Sequence, residues 1–204
     1  MRIRRVMFML CVIVLMAAVV SGMQEKKKAP AKPAMDEKAM MEMMEKLGTP
    51  GAGHKKLDFM VGSWNAKSSM WMDPAQPPTV SQGTSDHKWV LGGRFLEQRF
   101  EGNFMNMPFS GLGFSGYDNY KKKYVGTWMD TMGTSILNMM GNFDPSGKIL
   151  TMAGKMDDPM QGKEVTMREK MTIVSNDEML FEMYGPGPDG KDYRMMEIRY
   201  TRKR

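Results

Sequence analysis

The sequence predicts an all-β domain, namely an antiparallel up-and-down β-barrel of about ten strands that follows a short helix. Alternating or apolar runs, separated by turn residues, recur about every ten residues from His54 onward. No helix-length hydrophobic period interrupts these runs. A two-sheet sandwich fits the strand count nearly as well, but closing the meander into a barrel removes the exposed edges of an open sheet. The barrel is therefore favoured.

The first 22 residues are predicted to be a secretory signal peptide. Arg2, Arg4 and Arg5 precede an unbroken apolar run at residues 6–20, and small or polar residues follow it. This run is shorter than the roughly twenty residues that span a bilayer as a helix, so cleavage near Gly22 is expected. An uncleaved N-terminal membrane anchor is the alternative. The protein is therefore expected to be periplasmic or extracellular.

Charge and cysteine content exclude several function classes. The single cysteine, Cys11, lies inside the apolar run, so the mature chain would have no disulfide, thiolate nucleophile or Cys-ligated metal. Loss of the three leader arginines lowers the formal net charge from +6 to +3. Because no basic stripe occurs in the folded part, nucleic-acid binding is not expected.

Two segments separate the leader from the barrel. Residues 23–34 are rich in Lys, Ala and Pro and are predicted to be a disordered tether. Residues 35–48 are predicted to form a short amphipathic helix, because Met40, Met43, Met44 and Leu47 recur at helical spacing before Gly48. Residues 49–204 form the predicted barrel domain.

The ten predicted strands are bounded by recognisable turn residues. Asp144-Pro145-Ser146-Gly147 and the Gly- and Pro-rich residues 185–190 are examples. The strand centres are predicted near Trp64, Thr84, Leu96, Leu112, Val125, Leu137, Thr151, Met167, Phe181 and Met196.

Four stretches of this domain resemble the bacterial domain-of-unknown-function 1579 family. They are residues 54–64, 91–96, 109–113 and 116–130, and the last, GYDNYKKKYVGTWMD, is the most specific. The resemblance covers the chain from about Thr49 to its last residue. It implies a lipocalin-like, or calycin, barrel, and it implies no activity, because the family has none established.

The resemblance also implies how one end of the barrel is closed. Gly62 and Trp64 match the Gly-x-Trp signature of the first strand in this group, where the tryptophan packs under an arginine from the last strand. A guanidinium group stacks on an indole ring at low desolvation cost. Of the three candidates Arg194, Arg199 and Arg202, Arg199 is assigned this structural role.

No cofactor is expected. Related ten-stranded barrels include haem binders that ligate iron through a histidine near the C-terminus, but the two histidines here are His54 and His87. Each is expected to be a surface or capping residue, since the sequence implies no catalytic partner for it. Without a nucleophile elbow or a Ser-Lys pair, an unrecognised hydrolase is only the third functional hypothesis.

Inward-facing polar residues are the best indication of a ligand site. Glu169 shares the apolar face of its strand, Trp128 and Asp130 share a face with Tyr124, and Arg99 lies on the face opposite Leu96 and Phe100. If Glu169, Asp130 and Arg99 converge, they can orient the polar end of a ligand. The simpler account is a pair of internal salt bridges, or a face reversed by a β-bulge, and the sequence favours it.

Methionine is the compositional outlier, with 28 residues, four of them in the leader. Methionine as a flexible core filler is the favoured interpretation, because these residues are spread over nearly every strand. The alternative is a Cu(I) or Ag(I) site built from Met70, Met72, Met105 and Met107.

The predicted function is non-catalytic binding of a small apolar or amphipathic molecule inside the barrel. This prediction rests on fold analogy. The sequence leaves the ligand and the oligomeric state open.

Overall fold

The computed structural model describes residues 36–159, 161–187 and 189–204. The predicted signal peptide and tether lie outside the described residues. The helical elements are α1 (Glu37–Gly48), α2 (Ala52–Lys55) and a 3-10 helix (Asp58–Met60). The strands are β1 (Gly62–Met70), β2 (Thr79–Val90), β3 (Phe95–Phe104), β4 (Met107–Asp118), β5 (Lys123–Asp130), β6 (Leu137–Phe143), β7 (Ile149–Asp158), β8 (Lys163–Ser175), β9 (Glu178–Pro186) and β10 (Asp192–Arg202).

The ten strands form a closed antiparallel barrel, which confirms the predicted fold class. Each strand pairs with its neighbours in sequence, and β1 pairs with β10 to close the barrel. All ten predicted strand centres fall inside these strands. The turn residues that separate the apolar runs therefore locate the hairpins correctly.

The predicted N-terminal helix forms, but its apolar face is not packed. Helix α1 begins after Asp36, whose side chain accepts a hydrogen bond from the backbone N–H of Ala39 at 2.8 Å. Its methionines are exposed, and no residue of the helix is buried. At its C-terminal end, Asn119 donates hydrogen bonds to the carbonyls of Leu47 and Thr49. Across the described part of the chain, no helix is long and apolar enough to cross a bilayer.

The alternating strand directions give the barrel two different ends. The β2–β3, β4–β5, β6–β7 and β8–β9 turns share one end with α2 and the 3-10 helix, which we call the closed end. The other five connections lie at the opposite end, which we call the open end. The closed end holds the most deeply buried side chains, including Leu57 and Trp64.

Arg202, not Arg199, covers Trp64 at the closed end. The Arg202 guanidinium lies 4.1 Å from the centroid of the Trp64 ring. Because Ile198 and Tyr200 face inward, alternation puts Arg202 on the inner face and Arg199 on the outer surface, where Arg199 pairs with Glu178. The assignment of Arg199 from the resemblance is therefore wrong, although a stacked arginine from the last strand is present.

Gly62 is required for this arrangement. It has a φ of +121°, and a Cβ atom at this position would lie 2.7 Å from Nη1 of Arg202. Arg202 in turn donates hydrogen bonds to the carbonyls of Val61 at 2.8 Å and Phe59 at 3.1 Å. The arginine thus joins the last strand to the segment that precedes the first.

Candidate functional site: a cavity inside the barrel

The interior of the barrel contains a cavity of about 490 Å³. It lies between the buried layer of the closed end and the open end, where the lining residues Met72 and Met132 are 67% and 52% exposed. Most of its wall is apolar. The lining methionines are Met60, Met70, Met72, Met132, Met139, Met152, Met171, Met183 and Met196, and the lining aromatic residues are Phe100, Phe104, Phe109, Trp128, Phe181 and Tyr200. Ligand pockets in proteins commonly have this size and composition.

Trp128 forms part of the wall through a close contact with glycines of the neighbouring strand. A Cβ atom on Gly111 would lie 2.2 Å from Cζ2 of Trp128, and one on Gly113 would lie 3.0 Å from Cε3. The indole N–H donates a hydrogen bond to Oδ2 of Asp130 at 2.8 Å. The other carboxylate oxygen of Asp130 accepts from the backbone N–H of Met132 at 2.9 Å. Asp130 therefore fixes the orientation of Trp128.

Glu169 is the other carboxyl group that lines the cavity. It lies in β8, where its backbone neighbours across the sheet are Met152 of β7 and Met183 of β9. Within the described residues, no group donates a hydrogen bond to Glu169 or forms an ion pair with it. Burial without a partner raises the pKa of Glu169 to about 7. The internal salt bridge considered from the sequence is not formed.

Four polar residues form a layer between the cavity and the closed end, which we call the polar layer. Gln98 Nε2 donates to the Tyr200 hydroxyl at 3.4 Å and to Ser85 Oγ at 3.2 Å, and Ser85 Oγ lies 2.8 Å from Nε2 of His87. Gln98 and Tyr200 line the cavity, whereas Ser85 and His87 do not. Burial raises the pKa of Tyr200 and lowers the pKa of His87 to about 4, against an opposing effect of Asp86 on the histidine. Both groups are therefore neutral at pH 7.

The Ser85–His87 pair does not form a nucleophilic site of the usual kind. Ser85 is fully buried, so a substrate in the cavity does not reach its hydroxyl. Among the described residues, none hydrogen-bonds to the second ring nitrogen of His87, Nδ1, to orient the imidazole as a base. The contact is better explained as hydrogen bonding within a buried layer.

The structure brings together three of the five residues predicted to bind a ligand. Trp128, Asp130 and Glu169 line the cavity. Arg99 instead lies on the outer surface, where its Nε donates to Glu97 at 2.7 Å, so the predicted convergence with Glu169 is wrong. Tyr124 faces inward but lies outside the cavity, since its ring packs against Tyr117 and Phe143 near the closed end.

Both histidines are buried, and the expectation of a surface or capping residue is wrong for His87. His54 is inside the closed end, where its Nδ1 accepts a hydrogen bond from the backbone N–H of Gly51 at 3.1 Å, which is the expected capping role. His87 belongs to the polar layer. Sequence reasoning missed this layer because β2 has polar residues on both faces around Ser85 and His87, so alternation gives no signal there.

The four methionines of the predicted metal site do not all occupy one place. Met70 and Met72 line the cavity, whereas Met105 and Met107 lie exposed at the β3–β4 turn. Many other methionines fill the core, as the favoured interpretation predicted. In the described ranges, no cluster of three or more His, Cys, Asp or Glu residues is arranged to hold a metal ion.

A family profile described as a protein of unknown function, DUF1579, matches residues 49–202. The chain belongs to the DUF1579 family. The match spans all ten strands and the closed-end segment that precedes them. The resemblance seen in the sequence is therefore confirmed, and a search of curated proteins gives no match.

Similarity to a solved structure with a TM-score above 0.5 supports the fold assignment. Rv2717c from M. tuberculosis is 14% identical, with a TM-score of 0.57, and the match covers 76% of this chain and 100% of that one. The S-type phycobiliprotein lyase CPES from Guillardia theta is 11% identical, with a TM-score of 0.49, and the match covers 76% and 99% of the two chains. The similarity to Rv2717c shows a shared fold and nothing about a shared ligand.

Proposed function

We propose that this DUF1579 protein reversibly binds a small, mainly apolar molecule inside its barrel and performs this role after export. The observation that supports the proposal is the cavity of about 490 Å³, with its methionine and aromatic wall and a single unpartnered carboxyl group. A core selected only for stability would be filled, because a cavity of this size forgoes packing energy. Function is the better explanation of the space.

The wall suits reversible binding. Methionine side chains are flexible and polarisable, so they can adapt to ligands of different shape. Burying about 250 Å² of apolar ligand surface contributes roughly 6 kcal/mol, part of which offsets the entropy lost on association. We therefore expect dissociation constants of about 50 μM or weaker for simple apolar probes that bury this area. Exchange takes place through the open end.

The test is a pair of substitutions at adjacent residues on opposite faces of β1. Ser68 lines the cavity, and Ser69 lies on the outer face of the same strand. Binding of the fluorescent apolar probe N-phenyl-1-naphthylamine is titrated in both variants. Ser68→Phe fills part of the cavity and is expected to weaken binding about ten-fold or more, whereas Ser69→Phe is expected to leave it unchanged.

Two results would contradict the proposal. One is failure of the unsubstituted protein to bind the probe, and the other is equal weakening by both variants. Circular dichroism of each variant checks that the barrel is intact, and if Ser68→Phe does not fold, Ser68→Leu replaces it.

Native mass spectrometry of protein from the exported compartment tests location and natural cargo together. The proposal predicts a chain cleaved near Gly22 and an adduct of a few hundred daltons that is lost on denaturation. Adducts at multiples of the mass of copper would instead favour the methionine–metal alternative. Recovery of the protein from membranes with residues 1–22 still attached would favour the alternative of an uncleaved N-terminal anchor.

A further inference from the structure

We propose that the ligand carries an amine at one end of its apolar body, and that Glu169 binds this amine as a cation inside the barrel. This inference rests on the proposed function and specifies the class of ligand. It concerns the charge of the cavity wall rather than its shape.

The cavity wall is acidic. Among the described residues that line it are two carboxyl groups, Asp130 and Glu169, and no Lys, Arg or His. Both oxygens of Asp130 accept hydrogen bonds from neighbouring groups, namely Trp128 and Met132. Glu169 therefore has the larger free acceptor capacity, which amounts to as many as four hydrogen bonds when it is ionised, whereas two of those of Asp130 are already used.

The basic side chains near this carboxyl group lie outside the barrel and are paired there. Lys170, the next residue along β8, and Arg194 both pair with Glu182 on the outer surface. Neither lines the cavity. An ionised Glu169 therefore has no compensating charge from its own wall, and a cationic ligand supplies one.

The same argument excludes the opposite class of ligand. A fatty acid would place its carboxylate in the cavity with Glu169, and two like charges in a site of low polarity repel each other strongly. A neutral ligand satisfies the apolar wall but supplies no charge that compensates an ionised Glu169. The aromatic rings of the wall add to the preference for a cation, because ring faces attract ammonium groups.

Binding of an amine should depend on pH through Glu169. The inward neighbours of Glu169 on β7 and β9, Met152 and Met183, do not titrate, and the raised pKa of Tyr200 keeps that hydroxyl neutral. Burial places the pKa of Glu169 at about 7 in the empty protein. An ammonium ion binds the ionised form of the Glu169 carboxyl group. Below pH 7 this group is mostly protonated in the empty protein, so it must lose its proton before an amine binds, and the affinity for the amine falls as the pH falls.

The experiment compares three probes with the same alkyl chain, decylamine, decanol and decanoate, by their displacement of N-phenyl-1-naphthylamine at pH 8. We expect decylamine to bind about ten-fold or more tightly than decanol, in line with a charge-assisted contact, and decanoate to bind least. Glu169→Gln should remove the preference for the amine over the alcohol. Glu164→Gln is the matched control, because Glu164 lies exposed in the same strand and pairs with Lys155 on the outer surface.

The pH dependence gives a readout that needs no variant. Between pH 8 and pH 5, decylamine affinity should fall about ten-fold or more, while decanol affinity stays constant. Equal binding of amine and alcohol, a preference for decanoate, or an amine preference that survives Glu169→Gln would overturn the inference and leave the proposed function standing. Failure of the dye and all three probes to bind would overturn the proposed function as well.

Discussion

The two ends of the barrel use different side chains for different purposes. The closed end is built from Trp64, Leu57 and Arg202, which are held in one arrangement by stacking and by hydrogen bonds to backbone carbonyls. At the open end, the rim methionines Met72 and Met132 are largely exposed to solvent. The contacts that stabilise the fold are therefore concentrated at the closed end, and access to the cavity is concentrated at the open end. Substitutions at the two ends should therefore have very different costs.

The largest effect is expected at Arg202. Arg202→Ala removes hydrogen bonds to the carbonyls of Phe59, Val61 and Asn176 together with the stack on Trp64. Because these carbonyls would lose charge-assisted donors, we expect the free energy of unfolding to fall by about 3 kcal/mol. Urea denaturation measures this change. Arg199→Ala is the control, with an expected loss below about 1 kcal/mol, and equal losses in the two variants would refute the assignment.

The next effect is expected at His87 and depends on pH. Burial lowers the pKa of folded His87 from 6.5 to about 4, so between these values the unfolded chain binds the proton more readily than the folded protein does. Stability from this site is therefore lost as the pH falls from 6.5 to 4, by roughly 2–3 kcal/mol. His87→Gln removes the titrating group, so the free energy of unfolding of this variant should fall less between pH 6.5 and pH 4. Denaturation curves recorded at several pH values in this range measure this acid limb of the stability profile. An unchanged acid limb would show that His87 is not the group responsible.

A comparable effect of opposite sign is expected at Glu169. Burial raises its pKa from 4.5 to about 7, so the folded protein binds the proton more readily, and its contribution to stability is lost as the pH rises through that interval. Glu169→Gln should therefore increase the free energy of unfolding by roughly 2–3 kcal/mol at pH 8 and have little effect at pH 4. A uniform change at both pH values would point to altered packing instead of a charge effect. Differential scanning calorimetry at the two pH values distinguishes these outcomes.

The smallest effect is expected at the rim of the open end. Met132→Ser and Met72→Ser remove exposed side chains that are not fixed by tight packing, so each should change the free energy of unfolding by less than about 0.5 kcal/mol. The same variants can still alter the rate of probe release, which stopped-flow fluorescence measures. A loss of more than about 1 kcal/mol would show that the rim is part of the stabilising core after all.

The sequence predicted strand positions well because they depend on local signals. Turn residues mark the hairpins, and in β8 the clear alternation of Val165, Met167 and Met171 places Glu169 on the inner face. The stacked arginine was misassigned because the resemblance implies only that some arginine of the last strand stacks on Trp64. Which arginine faces inward follows from the alternation of Ile198, Tyr200 and Arg202 along β10.

The polar layer could not be predicted because it joins residues distant in sequence. The contact between Gln98 and Tyr200 connects β3 to β10, and the register that brings them together is set by closure of the whole barrel. No local sequence pattern in either strand indicates that the Gln98 and Tyr200 side chains are close to each other. The lack of a hydrogen-bond or ion-pair partner for Glu169 among the described residues is of the same kind, because it depends on the side chains that the other strands place near it.

The pairing of β1 with β10 also has a consequence for folding kinetics. Every other pair of neighbouring strands is a hairpin, and hairpins form quickly because their loops are short. The contacts of Arg202 with Val61 and Phe59 join residues 141 and 143 positions apart, so they carry a large loop-closure entropy. We therefore expect closure of this seam to be the slow step of folding, with Trp64 fluorescence as a natural reporter, since the indole lies in the last contact to form.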